Sequence, residues 1–100
     1  MDPTIGHEQA GQRPALVVSV DQFNQGPAGL VIVVPLTSKG KGISLHVALD
    51  PPEGGVTMRS YVMPENIRSV SITRLDRRLG SISAERLDEV RERLRVLLDL

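Results

Sequence analysis

A glutamate and an arginine lie five residues apart in the stretch Gly6-His7-Glu8-Gln9-Ala10-Gly11-Gln12-Arg13-Pro14, which runs directly into the apolar segment 15–20. A carboxylate can take a proton, and a guanidinium can hold negative charge. Cleaving RNA without a metal asks for three things: removal of the 2'-OH proton, delivery of a proton to the departing 5'-oxygen, and stabilisation of charge on the pentacoordinate phosphorus. Glu8 suits the first. Arg13 suits the third, because its planar fork of donors matches phosphate oxygens and its charge persists at any biological pH. The same fixed charge makes it a poor proton donor. A simpler reading stands beside this one, in which Glu8 and Arg13 pair across a surface loop for about 0 to 1 kcal/mol.

The elements that must position these groups are short strands followed by one helix. Residues 15–20, rich in valine and bounded by Pro14 and by Asp21-Gln22, read as a buried strand, and 21–29, with Asn24, Gly26, Pro27 and Gly29, as a loop. Leu30-Val31-Ile32-Val33-Val34 is the most strand-like run and the expected centre of a sheet. Pro35 cannot donate to a ladder, so pairing is expected to loosen there and leave Thr37 and Ser38 at the strand's end. Lys39-Gly40-Lys41-Gly42 reads as a flexible basic turn. Ile43, Leu45, Val47 and Leu49 then alternate with Ser44, His46 and Ala48, the period of a half-buried strand. His46 falls on the face opposite the apolar set and reads as a surface histidine rather than a catalytic base. After a turn at 50–55, strands are expected at 56–63 and 67–72, separated by Pro64-Glu65-Asn66.

From Ser83 the period becomes helical, with Leu87, Val90, Leu94, Leu97 and Leu98 on one stripe and charged residues elsewhere. Ser83 can cap this helix, Glu85 suits its positive end, and Glu89 with Arg93 forms a favourable i,i+4 pair. Four or five short strands and a terminal helix imply a small, curled antiparallel sheet or barrel.

Composition narrows the functions this domain can have. One hundred residues make a single small domain, expected to gain stability from a partner subunit. There is no cysteine, so neither a disulfide nor a thiolate metal site can form. Phe23 and Tyr61 are the only aromatics, which limits any mechanism that stacks several bases and disfavours an adaptor that grips proline-rich peptides. No apolar run reaches the roughly 18 residues of a membrane span and no signal segment opens the chain, so a cytoplasmic protein is the default expectation. Net charge is zero, yet Arg59, Arg68, Arg74, Arg77 and Arg78 face only Glu65 and Asp76 between 57 and 82. That region reads either as a surface for a phosphate backbone or as a solvated face.

The stretch from Asp2-Pro3-Thr4-Ile5-Gly6 through Glu8-Gln9-Ala10-Gly11-Gln12-Arg13-Pro14 to Ser19 closely resembles the N-terminal signature of the MazF/PemK toxins, endoribonucleases of type II toxin-antitoxin systems. The resemblance continues in Val34-Pro35-Leu36-Thr37-Ser38, in Glu65-Asn66-Ile67-Arg68-Ser69-Val70 and in the final helix, and so covers nearly the whole chain. It implies an SH3-like antiparallel β-barrel with a C-terminal helix that dimerises and cuts single-stranded RNA at a short sequence without metal or cofactor. It also implies silencing by a MazE-like antitoxin, with operator DNA as a partner of the toxin-antitoxin complex.

The resemblance makes Arg13 the principal catalytic residue, gives Thr37 a hydroxyl for the scissile phosphate, and makes Glu8 the candidate base. Gln9, Gln12, Ser38 and Lys39 are the RNA-contacting residues it implies nearest these three. Lys41, Glu65, Asn66 and Arg68 complete the implied RNA-binding set. Glu65-Asn66 replaces the family's usual aspartate-glutamine, and His7 stands where serine is common, as a neighbour of the site. Family members carry a strand of about ten residues before Asp-Pro-Thr, whereas this chain opens Met1-Asp2-Pro3, so that first strand is expected to be missing and the site less well supported. The alternative from another class is a non-catalytic toxin-like fragment or binding module, holding an antitoxin or DNA or contacting gyrase.

Overall fold

The computed structural model describes residues 4–8 and 13–100, with Glu8, Asp76 and Arg77 described in their backbone alone. The strands are β1 (Thr4–Glu8), β2 (Arg13–Val17), β3 (Leu30–Thr37), β4 (Val47–Leu49), β5 (Ser60–Val62), β6 (Arg68–Ser71) and β7 (Leu75–Ser81). One turn of helix, α1 (Asp21–Asn24), follows β2, and α2 (Ala84–Leu98) closes the chain. Every pairing is antiparallel, in the order β4-β5-β3-β2-β1-β7, with β6 beside β3. The result is a curled, mainly antiparallel half-barrel with a C-terminal helix, as the sequence leads one to expect.

The valine-rich centre forms because both faces of β2 and β3 are covered, and strand side chains alternate between faces. Leu16, Val34 and Leu36 point into a core shared with Ile5, Leu49, Val62 and Val90 of α2. Ala15, Val17, Val31 and Val33 point the other way, onto Val70 with Leu75 packed alongside. The apolar runs are therefore continuous rather than alternating.

Pro35 does not loosen β3. It pairs with Ala15, and its carbonyl accepts from the Met63 N–H at 2.9 Å. In an extended strand the N–H and C=O of one residue point to the same side, so the missing donor of Pro35 faces the edge where β3 changes partner. Residues 30–33 pair with β6, residues 36 and 37 with β5, and the chain between those partners is the 3-10 turn Pro64–Asn66. No ladder donor is wanted there.

Other expectations shift. The described residues of the glycine-punctuated stretch, 6–8 and 13–14, lie in two paired strands, β1 and β2. Strand β2 ends at Val17, and Val20 is exposed at the start of α1, a helical turn within the expected loop 21–29. The expected strand 43–49 is reduced to β4, because a turn closes at 43–46 with the His46 N–H bonded to the Ile43 carbonyl at 3.0 Å. The expected strand 56–63 is reduced to β5. The strand β7 was not foreseen. The capping serine holds, with Ser83 Oγ accepting from the Arg86 N–H at 3.2 Å, but Glu89 pairs with Arg86 rather than Arg93, whose guanidinium reaches Glu92 and the Ser44 carbonyl. Leu97 and Leu98, read as part of the buried stripe, are exposed near the helix end. Among the described residues no helix is long and apolar enough to cross a membrane. Residues 1–3, where the expectation of a missing first strand falls, lie outside the described residues.

Candidate functional site

Proline at position 14 drives the residue before it into the extended region, so Arg13 enters β2 as its first residue and stays exposed. The register places Glu8 directly across from Arg13 and His7 across from Pro14. On the far side of β2, β3 carries Thr37 to its last position. Thr37 Oγ1 accepts the Lys39 N–H at 3.2 Å, which leaves its own proton free to donate outward.

These strand ends enclose a cleft of about 550 Å³. His7, Arg13, Thr37, Ser38 and Lys39 form its polar side, and Val56, Met58 and Leu79 its apolar side. Two cations line it, and no carboxylate stands among its described lining residues. The apolar wall depends on a backbone approach that only glycine permits. Gly55, at φ +78°, lies so close to β7 that a Cβ there would sit 2.1 Å from the Leu79 carbonyl oxygen. The contact sets Val56 and the following Thr57 and Met58 beside Leu79.

The residues singled out in sequence therefore divide. Arg13, Thr37, Ser38 and Lys39 come together in the cleft, with His7 beside them. The backbone of Glu8 is opposite Arg13, but its side chain is outside the described set, as are Gln9 and Gln12. Lys41 lies beyond the cleft in the exposed turn. Arg68 opens β6 and is exposed, and Asn66 directs its amide to the Met63 sulfur at 3.6 Å. Neither lines the cleft. Thr57, Met58 and Ser60, which do line it, carried no sequence signal except the neighbouring Gly54-Gly55 pair.

Glu65 belongs to a second arrangement. Its Oε2 lies 2.6 Å from His46 Nε2, and the His46 side chain is only 4% exposed. This overturns the reading of His46 as a surface residue: the turn at 43–46 breaks the alternation on which that reading rested and swings the ring inward. His46 Nδ1 is buried with no hydrogen-bond partner among the described residues, and Nε2 carries the ring's bond to Glu65. Partial burial pushes the Glu65 carboxyl up, but the hydrogen bond from His46, one from its own backbone N–H and the charge of His46 prevail and hold it below its ordinary 4.5.

A curled antiparallel sheet here gathers an arginine, a lysine and hydroxyls around one cleft, side chains of the kind that can hold an anion. The chain belongs to the PemK-like, MazF-like toxins of type II toxin-antitoxin systems, whose family model matches residues 1–98. It is 37% identical to endoribonuclease MazF9 of Mycobacterium tuberculosis, over 100% of this chain and 89% of that protein. The MazE-MazF structure from Deinococcus radiodurans superposes with a TM-score of 0.83 at 33% identity, covering 96% of this chain and 92% of that one. The M. tuberculosis toxin MazF-mt6 matches the fold at a TM-score of 0.85, 23% identity and 97% coverage of both chains.

Proposed function

We propose that the cleft between Arg13 and Thr37 is the catalytic site of a ribonuclease that cuts single-stranded RNA without a metal. The chain is an endoribonuclease toxin of its family, and the proposal concerns how these residues do the work. The observation that carries it is the meeting of Arg13, Lys39 and the outward-donating Thr37 hydroxyl in one cleft. A scissile phosphate seated there takes a hydrogen bond from Thr37 and charge from Arg13 and Lys39. Attack of the 2'-OH on the adjacent phosphorus breaks the bond to the 5'-oxygen and leaves a 2',3'-cyclic phosphate and a 5'-OH. The charge that grows on the phosphorane oxygens is what the fixed guanidinium of Arg13 stabilises. Glu8, across the strand pair from Arg13, is the candidate base for the 2'-OH proton.

The solved D. radiodurans relative is a MazE-MazF complex, and we extend that pairing to this chain: a MazE-like antitoxin silences it, and the toxin is a homodimer. An acidic antitoxin segment would compete with RNA for the cleft cations. Messenger RNA as substrate places the action in the cytoplasm. Incubating the purified chain with a long RNA and identifying the new ends tests the chemistry. Cyclic phosphate with 5'-OH ends is the expected product, and 5'-phosphate ends would rule out attack by the 2'-OH.

A further inference from the structure

Tyr61 is the only tyrosine of the chain and stands directly across from Thr37 in the β3–β5 pair. Residues opposed in this way share a face of the sheet. Its partner on the other side is Ala48 of β4, small enough to leave the ring uncrowded. The neighbours Ser60 and Val62 are buried, so Tyr61 projects to the outer face with Thr37. Two further contacts fix the ring. The Arg59 guanidinium, itself paired with Asp50 at 3.2 Å, lies 5.8 Å from the ring centroid. The backbone of Gly40 rests on the hydroxyl end: a Cβ built there would meet Cζ and Oη at 2.8 Å and Cε2 at 2.9 Å, closer than any real side chain sits.

Gly40 is the residue after Lys39. Lys39 lines the cleft, and its N–H bonds the Thr37 hydroxyl. A basic turn carrying Gly40 and Gly42 has little to hold it otherwise, for residues 38–44 are all exposed. We propose that Tyr61 is a positioning residue for RNA binding: its ring, set opposite Thr37, is the platform on which Gly40 seats, and it thereby holds Lys39 at the rim of the cleft. The inference rests on the cleft being where RNA is cut. A side chain at 40 could enter only by displacing the hydroxyl end of the ring, and the platform matters because, beyond the Lys39 N–H bond to Thr37, this exposed turn has little to keep Lys39 beside the phosphate.

The test is a double-mutant cycle in the full chain with Tyr61→Ala, Gly40→Ala and the two combined, with Tyr61→Phe as the conservative variant. Each single variant lowers kcat/KM about ten- to a hundredfold, mainly through KM, the scale of a misplaced contact. The dependence of log KM on log salt falls by about one, the signature of one lost phosphate contact. Tyr61→Phe restores cleavage, and the combined variant is no worse than the poorer single, because without the ring an alanine at 40 meets nothing. Gly40→Ala that cuts like the unchanged chain, or single effects that multiply in the combination, overturns the proposal. Amide exchange at residues 39–42 decides it without reference to activity. Protection in the unchanged chain that is lost in Tyr61→Ala supports the platform, and equal exchange in both refutes it. A chain that fails to cut any RNA while the exchange result holds refutes the reading of the cleft and leaves the platform standing.

Discussion

The cleft and the His46–Glu65 pair lie at opposite ends of what β5 connects, and they use charge in opposite ways. Among the described residues Arg13 and Lys39 have no ion-pair partner, and they face a cavity of about 550 Å³. Glu65 is bonded at 2.6 Å to a histidine whose side chain is almost wholly buried. A cation with no carboxylate beside it among the described residues is placed to meet an anion from outside. A carboxylate already satisfied from within holds two segments together, the turn at 43–46 and the 3-10 turn Pro64–Asn66. The difference teaches that charge on this small domain is divided between binding and architecture, and that proximity to a signature motif does not say which role a residue has.

Substitutions sharpen the contrast. The largest effect is expected for Arg13→Ala, which should lower kcat about a hundred- to a thousandfold, as removal of one preorganised donor to a developing oxyanion does. Its thermal unfolding should match the unchanged chain, because an exposed side chain away from the core contributes within about 0.5 kcal/mol. Next is Thr37→Val, which removes a hydrogen bond to charged phosphate and should reduce kcat/KM about ten- to a hundredfold, measured on a short RNA. An unchanged rate would take Thr37 out of the mechanism.

On the other side of the comparison, Glu65→Gln should leave kcat near that of the unchanged chain and cost about 0.5 to 1 kcal/mol of stability at neutral pH, a figure that allows for the partial exposure of the carboxyl. Denaturant titration measures it. Because the folded Glu65 carboxyl is held below 4.5, its contribution is present above that value and is lost as the pH falls through the folded titration point. The stability difference between Glu65→Gln and the unchanged chain should therefore shrink as the pH drops below about 4.5. A difference that persists undiminished at pH 3 would mean that His46 does not stabilise the ionised form.

Much of this was legible in the residues. The run at 30–34 announces the central strand, and Ser83 with the leucine spacing announces α2, because local propensity and burial agree there. Arg13 and Thr37 could be singled out through the motif around each, and Pro14 itself explains why Arg13 is extended. What was not legible depended on pairing. β7 is an edge strand whose Asp76-Arg77-Arg78 centre shows no apolar alternation, and its backbone is organised by β1. Charged residues suit such an edge, and they erase the pattern by which a strand is recognised. His46 was misplaced for a related reason: alternation was extended through a turn, and the partner that draws the ring inward is 19 residues away. The role of Tyr61 was equally hidden, since only the register of β3 against β5 brings it opposite Thr37.

The central claim is that the exposed guanidinium of Arg13 stabilises the phosphorane without help from a metal. It is tested most directly by cleavage of a long single-stranded RNA in excess EDTA, with the unchanged chain beside Arg13→Ala. The account predicts undiminished cleavage by the first and cleavage slowed about a hundred- to a thousandfold by the second, both proteins being folded. Cleavage that EDTA abolishes, or that Arg13→Ala carries out at the unchanged rate, would contradict it.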